Sequence, residues 1–167
     1  MKSIFLMLTA MLLFSSCKQE PKQTNSLISD GFYEVMKLSE SSVPKDSLKS
    51  GQVAINFDPL FNPGDYTMVA IDTNDYVPLE LETEPTAVPQ TESKKLLSIT
   101  LTAGAAEKIK TFTAQRIMKE AVVVIDGKAI TMHKIREAIT GPEMQITRCD
   151  DNACEYLYVK MKGNIKK

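Results

Sequence analysis

Histidine is nearly missing from this chain: His133 is the only one in 167 residues, and tryptophan is absent altogether. So little imidazole argues against histidine-based acid–base catalysis and against a multi-histidine metal site. Neither sign of charge dominates, with 20 Lys+Arg against 21 Asp+Glu and a net charge of −1. There is thus no basic excess of the kind that nucleic-acid partners demand. Beyond the first 16 residues no apolar run reaches membrane length, so the remainder does not span a bilayer as a helix. Cysteine is scarce, at positions 17, 149 and 154.

What is present is ordinary for a folded domain: 43% hydrophobic and 25% charged residues. About 150 residues remain after the N-terminal segment, enough for one domain with a real core. Nine methionines, several near the start, read as leader and core, with a Met-lined groove for apolar peptide as the functional counterpart.

The N-terminus is the most specific stretch. Lys2 supplies a positive start, residues 4–14 an apolar run too short to span a bilayer, and Leu13-Phe14-Ser15-Ser16-Cys17 a cleavage-like end. This resembles a bacterial lipoprotein signal with its lipobox, although Phe14 departs from the small or β-branched residue usual there. The resemblance implies removal of residues 1–16, acylation of Cys17 and attachment to a membrane face outside the cytoplasm. The alternative is an ordinary signal peptide with an incidental cysteine. Each buried acyl CH₂ contributes ~0.8 kcal/mol, so two or more chains anchor stably. Losing Lys2 with the leader takes the net charge to about −2. Lys18, rather than Asp, after the lipid-bearing residue favours the outer over the inner membrane by resemblance to sorting rules. Residues 17–30, polar and holding Pro21, read as a tether whose dozen residues reach ~40 Å. Residues 31–165 are then the domain.

If Cys17 carries lipid, Cys149 and Cys154 remain as a pair. In an exported chain they can form a disulfide; free thiols and a zinc site completed by His133 and Asp150 are the alternatives. With Asp150 as an N-cap the two cysteines occupy N′ and N4, the hydrophobic-staple positions. A disulfide there would be a covalent staple of ~2 kcal/mol.

Period-two patterning and turn residues predict strands over 31–38, 52–57, 66–71 and 76–81, the last two joined by a turn at 72–75. The 58–65 stretch, with Pro59, Pro63 and Gly64, must turn, and 83–93, with Pro85 and Pro89, reads as a mobile loop. Glu80, Glu82, Glu84 and Glu92 read as a solvated face. Residues 96–101 predict a strand. Thr102 is a good N-cap for an amphipathic helix reaching about Lys119, with Ala105, Ala106, Ile109, Phe112 and Ile117 on one face. Residues 121–125 and 128–135 form a hairpin about Asp126-Gly127, a type I′ pair. After Gly141-Pro142, residues 143–148 are a further strand. A last helix starts at Asp150 or Asp151, carries Ala153, Leu157, Tyr158 and Met161, and stops at Gly163.

The run Ile99-Thr-Leu-Thr-Ala-Gly-Ala105, then Phe112-Thr113, then Ala121-Val-Val-Val-Ile-Asp-Gly-Lys-Ala129, then Ile135-Arg-Glu-Ala-Ile-Thr-Gly141, then Gln145-Ile-Thr147 resembles the head subdomain of the first periplasmic domain of SecD and SecDF, the accessory subunit of the protein-export channel. Order and spacing match over residues 99–148; residues 31–95 match only loosely, through Gly31-Phe32-Tyr33. The resemblance implies an α+β fold, a mostly antiparallel sheet with the 103–119 helix on one face and the terminal helix beside it. It implies a non-catalytic, membrane-anchored module that contacts unfolded or exported polypeptide or another envelope protein, without cofactor, metal, nucleic acid or small-molecule substrate. That family couples protons in transmembrane helices. This chain lacks such helices, so it reads as no export motor, and it also lacks most of the supporting base subdomain. Thr131-Met132-His133 and the Cys149/Cys154 pair depart from the family pattern.

The matched positions Thr102, Gly104, Ala105, Thr113, Asp126, Gly127, Ile135, Gly141 and Gln145 read as structural. Gly104 would allow close packing at the helix start, Asp126 and Gly127 shape a turn, and Ile135 and Ile139 face the core. His133, beside Lys134 and Arg136, reads as an exposed side chain rather than a base. Asp126 reads as turn chemistry rather than a catalytic acid, and Thr102, Thr111 and Thr113 have no adjacent base to activate them. The other readings are an envelope assembly lipoprotein that recruits a folded partner, and an enzyme.

Overall fold

The structure, a computed structural model, describes residues 28–61, 64 and 66–166. The leader, Cys17 and most of the tether lie outside the described residues. Eight strands and two helices follow in order: β1 (Gly31–Ser39), β2 (Gln52–Asn56), β3 (Met68–Pro78), β4 (Thr86–Pro89), β5 (Lys95–Thr100), α1 (Ala103–Ala114), β6 (Glu120–Ile125), β7 (Lys128–Lys134), β8 (Glu143–Cys149) and α2 (Asp151–Met161). The fold is α+β and its sheet pairing is antiparallel, as the sequence implied. It holds two sheets rather than one: β2-β3-β1-β6-β7 and β4-β5-β8.

The composition of β6 shows why the layers stack as they do. Side chains alternate between faces along a strand, and here both faces are covered. Val122 and Val124 enter a small core with Tyr33, Ile55, Phe57, Val69 and Ile71. Val123 and Ile125 enter the main core, which joins Phe32 and Val77 to β5, β8, α1 and α2. An unbroken apolar run is what such a doubly buried strand requires. The five-stranded sheet curls until its two edge strands meet. Phe57 bridges to Ala129, and the Asp58 amide donates to the Ala129 carbonyl at 2.8 Å. The small core lies inside that curl.

Gly31 sits where β1 crosses close to β3: a Cβ there would come within 2.5 Å of the Val77 carbonyl oxygen, which no real Cβ does. At the β6–β7 turn Asp126 and Gly127 have φ of 52° and 73°, the two positive values that a type I′ turn needs.

Four expectations change. The stretch 72–75 is not a turn between two strands but the middle of β3. Its turn chemistry is local: β1 pairs Tyr33 with Tyr76 and Val35 with Ile71, leaving extra β3 residues bulged between, and Asp72 Oδ1 accepts from the Asn74 amide at 2.9 Å. The 83–93 loop contains β4, which pairs with β5 from Thr86↔Ser98 to Pro89↔Lys95. Proline is tolerated there because β4 is an edge strand. Helix α1 stops at Ala114 instead of about Lys119. Arg116 turns inward, Met118 takes φ 70° and donates its amide to the Ile135 carbonyl at 2.8 Å, and Ile117 is left exposed. Finally, Gly163 does not end α2. The chain continues through a 3₁₀ turn, Lys162–Asn164, and Leu81 donates to the Asn164 carbonyl at 2.9 Å.

A candidate polypeptide-contact crevice

Helix α1 begins where Thr102 Oγ1 accepts from the Ala105 amide at 3.2 Å, and it buries Ala105, Ile109, Phe112 and Thr113. Thr113 is a clamp. Its hydroxyl donates to the Ile109 carbonyl at 2.7 Å and accepts from the Ile139 amide at 2.9 Å. Ile135 is tied to the turn that follows this helix, because its amide donates to the Lys119 carbonyl at 2.8 Å. The 135–142 connector is thus held by backbone bonds to residues 118 and 119 and, on α1 itself, by the hydroxyl at position 113.

Between this connector, β6 and β8 opens a crevice of about 250 Å³, lined chiefly by Phe32, Ile109, Val123, Ile135, Ile139 and Ile146, with Met144 and Gln145 from β8. Four charged or titratable residues, His133, Lys134, Arg136 and Glu137, also line it. Pockets for drug-sized ligands start at ~300 Å³, so this one fits one or two apolar side chains. Strand β8 lies at the end of its sheet and pairs only with β5 among the described residues. An unpaired strand edge beside an apolar slot can take an extended peptide by backbone hydrogen bonds while the slot holds its side chains.

The matched residues fall into two groups. Thr113, Ile135 and Gln145 line the crevice. Thr102 and Ala105 start α1, Asp126 and Gly127 form the β6–β7 turn, and Gly141 precedes β8. The close packing expected of Gly104 is absent: it lies exposed on α1, and a Cβ there would meet no heavy atom within 4 Å. Asp126 does more than shape its turn. Its amide donates to Asp30 Oδ1 at 2.8 Å, and its carboxylate accepts from Lys160 Nζ at 2.6 Å. That bond, with the Asp126 charge, raises the Lys160 pKa above the usual lysine value.

His133 is exposed, with Nε2 3.1 Å from Thr131 Oγ1. Cys149 and Cys154 are joined in a disulfide, Cα atoms 5.3 Å apart. The free-thiol and zinc alternatives therefore give way: a thiol consumed in a disulfide cannot ligate metal as thiolate. Asp150 caps α2 by accepting from the Ala153 amide at 2.9 Å, so the disulfide spans the N′ and N4 positions. Cys17 lies outside the described residues.

Sequence reasoning missed the ionic cluster behind the crevice. Arg116, nearly buried, donates Nε to Glu34 at 2.9 Å, reaches Asp75 through NH2, and stacks over Phe112 with 4.0 Å between guanidinium carbon and ring centroid. Lys119 adds a 2.6 Å pair to Glu34. The partners come from β1 and β3, 41 to 85 residues away in sequence. The one available signal was an arginine following an amphipathic run. Tyr33, stacked on Tyr76 at 4.8 Å, has its hydroxyl pKa pushed well up by burial, then by Tyr76 and Asp30.

Two antiparallel sheets packed with two side-chain-capped helices define an α+β domain. The family model described as the SecDF P1 head subdomain matches residues 80–163, and the chain belongs to that family. A comparison with curated proteins finds no match. Among solved structures the chain is similar to SecDF in its super-membrane-facing form, at 22% identity over 70% of this chain and 16% of that one, with a TM-score of 0.42. It is also similar to a SecDF structure described as a membrane component that enhances protein export, at 19% identity over 81% and 64% of the two chains, with a TM-score of 0.44. The chain therefore spans less than two thirds of either. Among the described residues no helix is long and apolar enough to cross a membrane.

Proposed function

We propose that this protein is a non-catalytic lipoprotein of the bacterial envelope, anchored through acylated Cys17 outside the cytoplasm, whose head domain binds unfolded or exported polypeptide in support of protein export. Residues 1–16 are the leader, 17–30 the tether and 31–165 the domain, and the outer membrane is the favoured site. The observation that carries the reading is the apolar crevice at β8, built mostly by residues inside the family match and flanked by a strand edge unpaired among the described residues. Its lining offers apolar contact and hydrogen-bonding backbone, which bind a chain without transforming it.

The test is capture of unfolded secretory chains by the purified protein. Enrichment over an unrelated lipoprotein is expected, and equal recovery would refute the reading. A second reading, an assembly lipoprotein that recruits a folded partner, draws on one observation: Ile117 and Met118 are 43% and 63% exposed side by side next to the crevice. Recovery of one folded envelope protein, lost in Met118→Ser, would favour it.

A further inference from the structure

We propose that the outer edge of β2 is a second docking site, for an extended acid-rich segment of another polypeptide. A cleft of about 1020 Å³ runs along this strand, walled by the 43–50 loop and the β6–β7 turn. Three lysines line it, Lys45, Lys49 and Lys128, and no carboxylate does. Lys45 and Lys49 make no ion pair among the described residues. Lys128 leans at 3.3 Å on Asp58, whose side chain is nearly inaccessible. The cleft is therefore cationic where a ligand can enter. Its apolar lining includes Val43, Leu48, Val53 and Met68.

The backbone supplies the second half of the site. The Phe57 amide donates to Thr67 and the Thr73 amide to Gly51. Odd-numbered β2 residues thus point their hydrogen-bonding groups at β3, and the alternation of antiparallel pairs turns Ala54 outward. Ala54 has no hydrogen-bond partner on that side among the described residues. Five residues of β2 span ~17 Å, so an added strand of about that length would bond to Ala54 while its acidic side chains meet the lysines. A flat anionic surface could reach exposed lysines but not the recessed backbone, which favours a peptide. The surface lies mostly outside residues 80–163, so it does not depend on the crevice. It rests on the reading of the protein as a polypeptide binder only in the kind of partner it takes.

The experiment uses the full chain in detergent and a labelled ten-residue peptide of alternating Glu and Val, with its Lys–Val counterpart as control. The Glu peptide should bind and the Lys peptide should not. The double variant Lys45→Glu/Lys49→Glu should weaken binding about tenfold. Ala54→Pro, which removes an outward amide, should weaken it as well, and a rise in salt should loosen it further. Both lysines are exposed, so the double variant tests the site even if Ala54→Pro fails to fold. Equal binding of the two peptides, or unchanged binding by the double variant, would overturn the proposal. So would binding of phosphatidylserine vesicles, lost in that variant, without any binding of the Glu peptide. Capture of unfolded chains by a protein that does not bind the Glu peptide would remove the β2 site and leave the proposed function standing. Absence of unfolded-chain capture with Glu-peptide binding intact would remove the proposed function and leave the β2 site, and absence of both would remove both.

Discussion

The two cores of this molecule are built by different rules. The main core, between the sheets and helices, is mostly aliphatic, with Leu97, Leu101, Ile109, Ile146 and Leu157 at 0–1% exposure. The small core inside the curled sheet holds a tyrosine stack, and its seam at Phe57–Ala129 is closed by the Asp58–Lys128 pair. The first gains stability from area removed from water, which is non-directional and forgiving of chemistry. The second depends on groups that must keep specific partners. The domain therefore joins a robust half that carries the family pattern to a more conditional half that carries the β2 cleft.

The comparison breaks most plainly at Leu157, fully buried on α2. Leu157→Ala should cost ~3 kcal/mol through lost burial and the cavity left behind, read as a fall in the urea midpoint. Arg116→Met should cost ~2 kcal/mol, because it leaves the largely buried Glu34 carboxylate with only the more exposed Lys119 as partner. The same measurement on Glu34→Gln/Arg116→Met should recover part of the loss. Reducing the Cys149–Cys154 bond, or replacing both cysteines by alanine, should remove ~2 kcal/mol, the value for so short a loop. Thr113→Val should cost ~1 kcal/mol by orphaning the Ile139 amide, and it should loosen the connector enough to appear as faster hydrogen exchange at residues 135–139.

The smallest effect sharpens the comparison by pH. Burial holds the Tyr33 proton in the native state above the ordinary tyrosine range, whereas the unfolded chain releases it near pH ~10. The native state then binds more protons than the unfolded one, so stability is full below that pH and declines as pH rises towards the native pKa. Urea midpoints at pH 9 and 11 should diverge in the wild type and converge in Tyr33→Phe. Tyr33→Phe also loses the 2.7 Å bond to the Ser29 carbonyl, so the slope with pH is the informative quantity, not the absolute midpoint.

Local chemistry was legible in the sequence wherever it also decided the structure. The Thr102 and Asp150 caps, the Asp126-Gly127 turn and the doubly buried β6 run each announce themselves within a few residues. Failures occurred where distant partners overrule local signals. Asp72-Thr73-Asn74-Asp75 has ideal turn residues, yet pairing on either side carries β3 straight through them as a bulge. Pro85 and Pro89 argue for a loop, yet β5 recruits the residues between them as an edge strand. Ile117 continues the α1 pattern, but Arg116 is pulled towards Glu34 and Asp75, and the helix ends. Half of the crevice was legible in the same way. Thr113, Ile135 and Gln145 were singled out, but their convergence on one slot is a property of tertiary packing. The Arg116 cluster and the β2 cleft, assembled across long sequence separations, left no local trace.

The most direct test of polypeptide binding at the crevice is photo-crosslinking from position 139 in the purified protein, mixed with an unfolded secretory chain and compared with the same label at exposed Glu92. The crevice account predicts strong capture from 139 and background capture from 92. Equal yields from the two positions, or none from either, would contradict it.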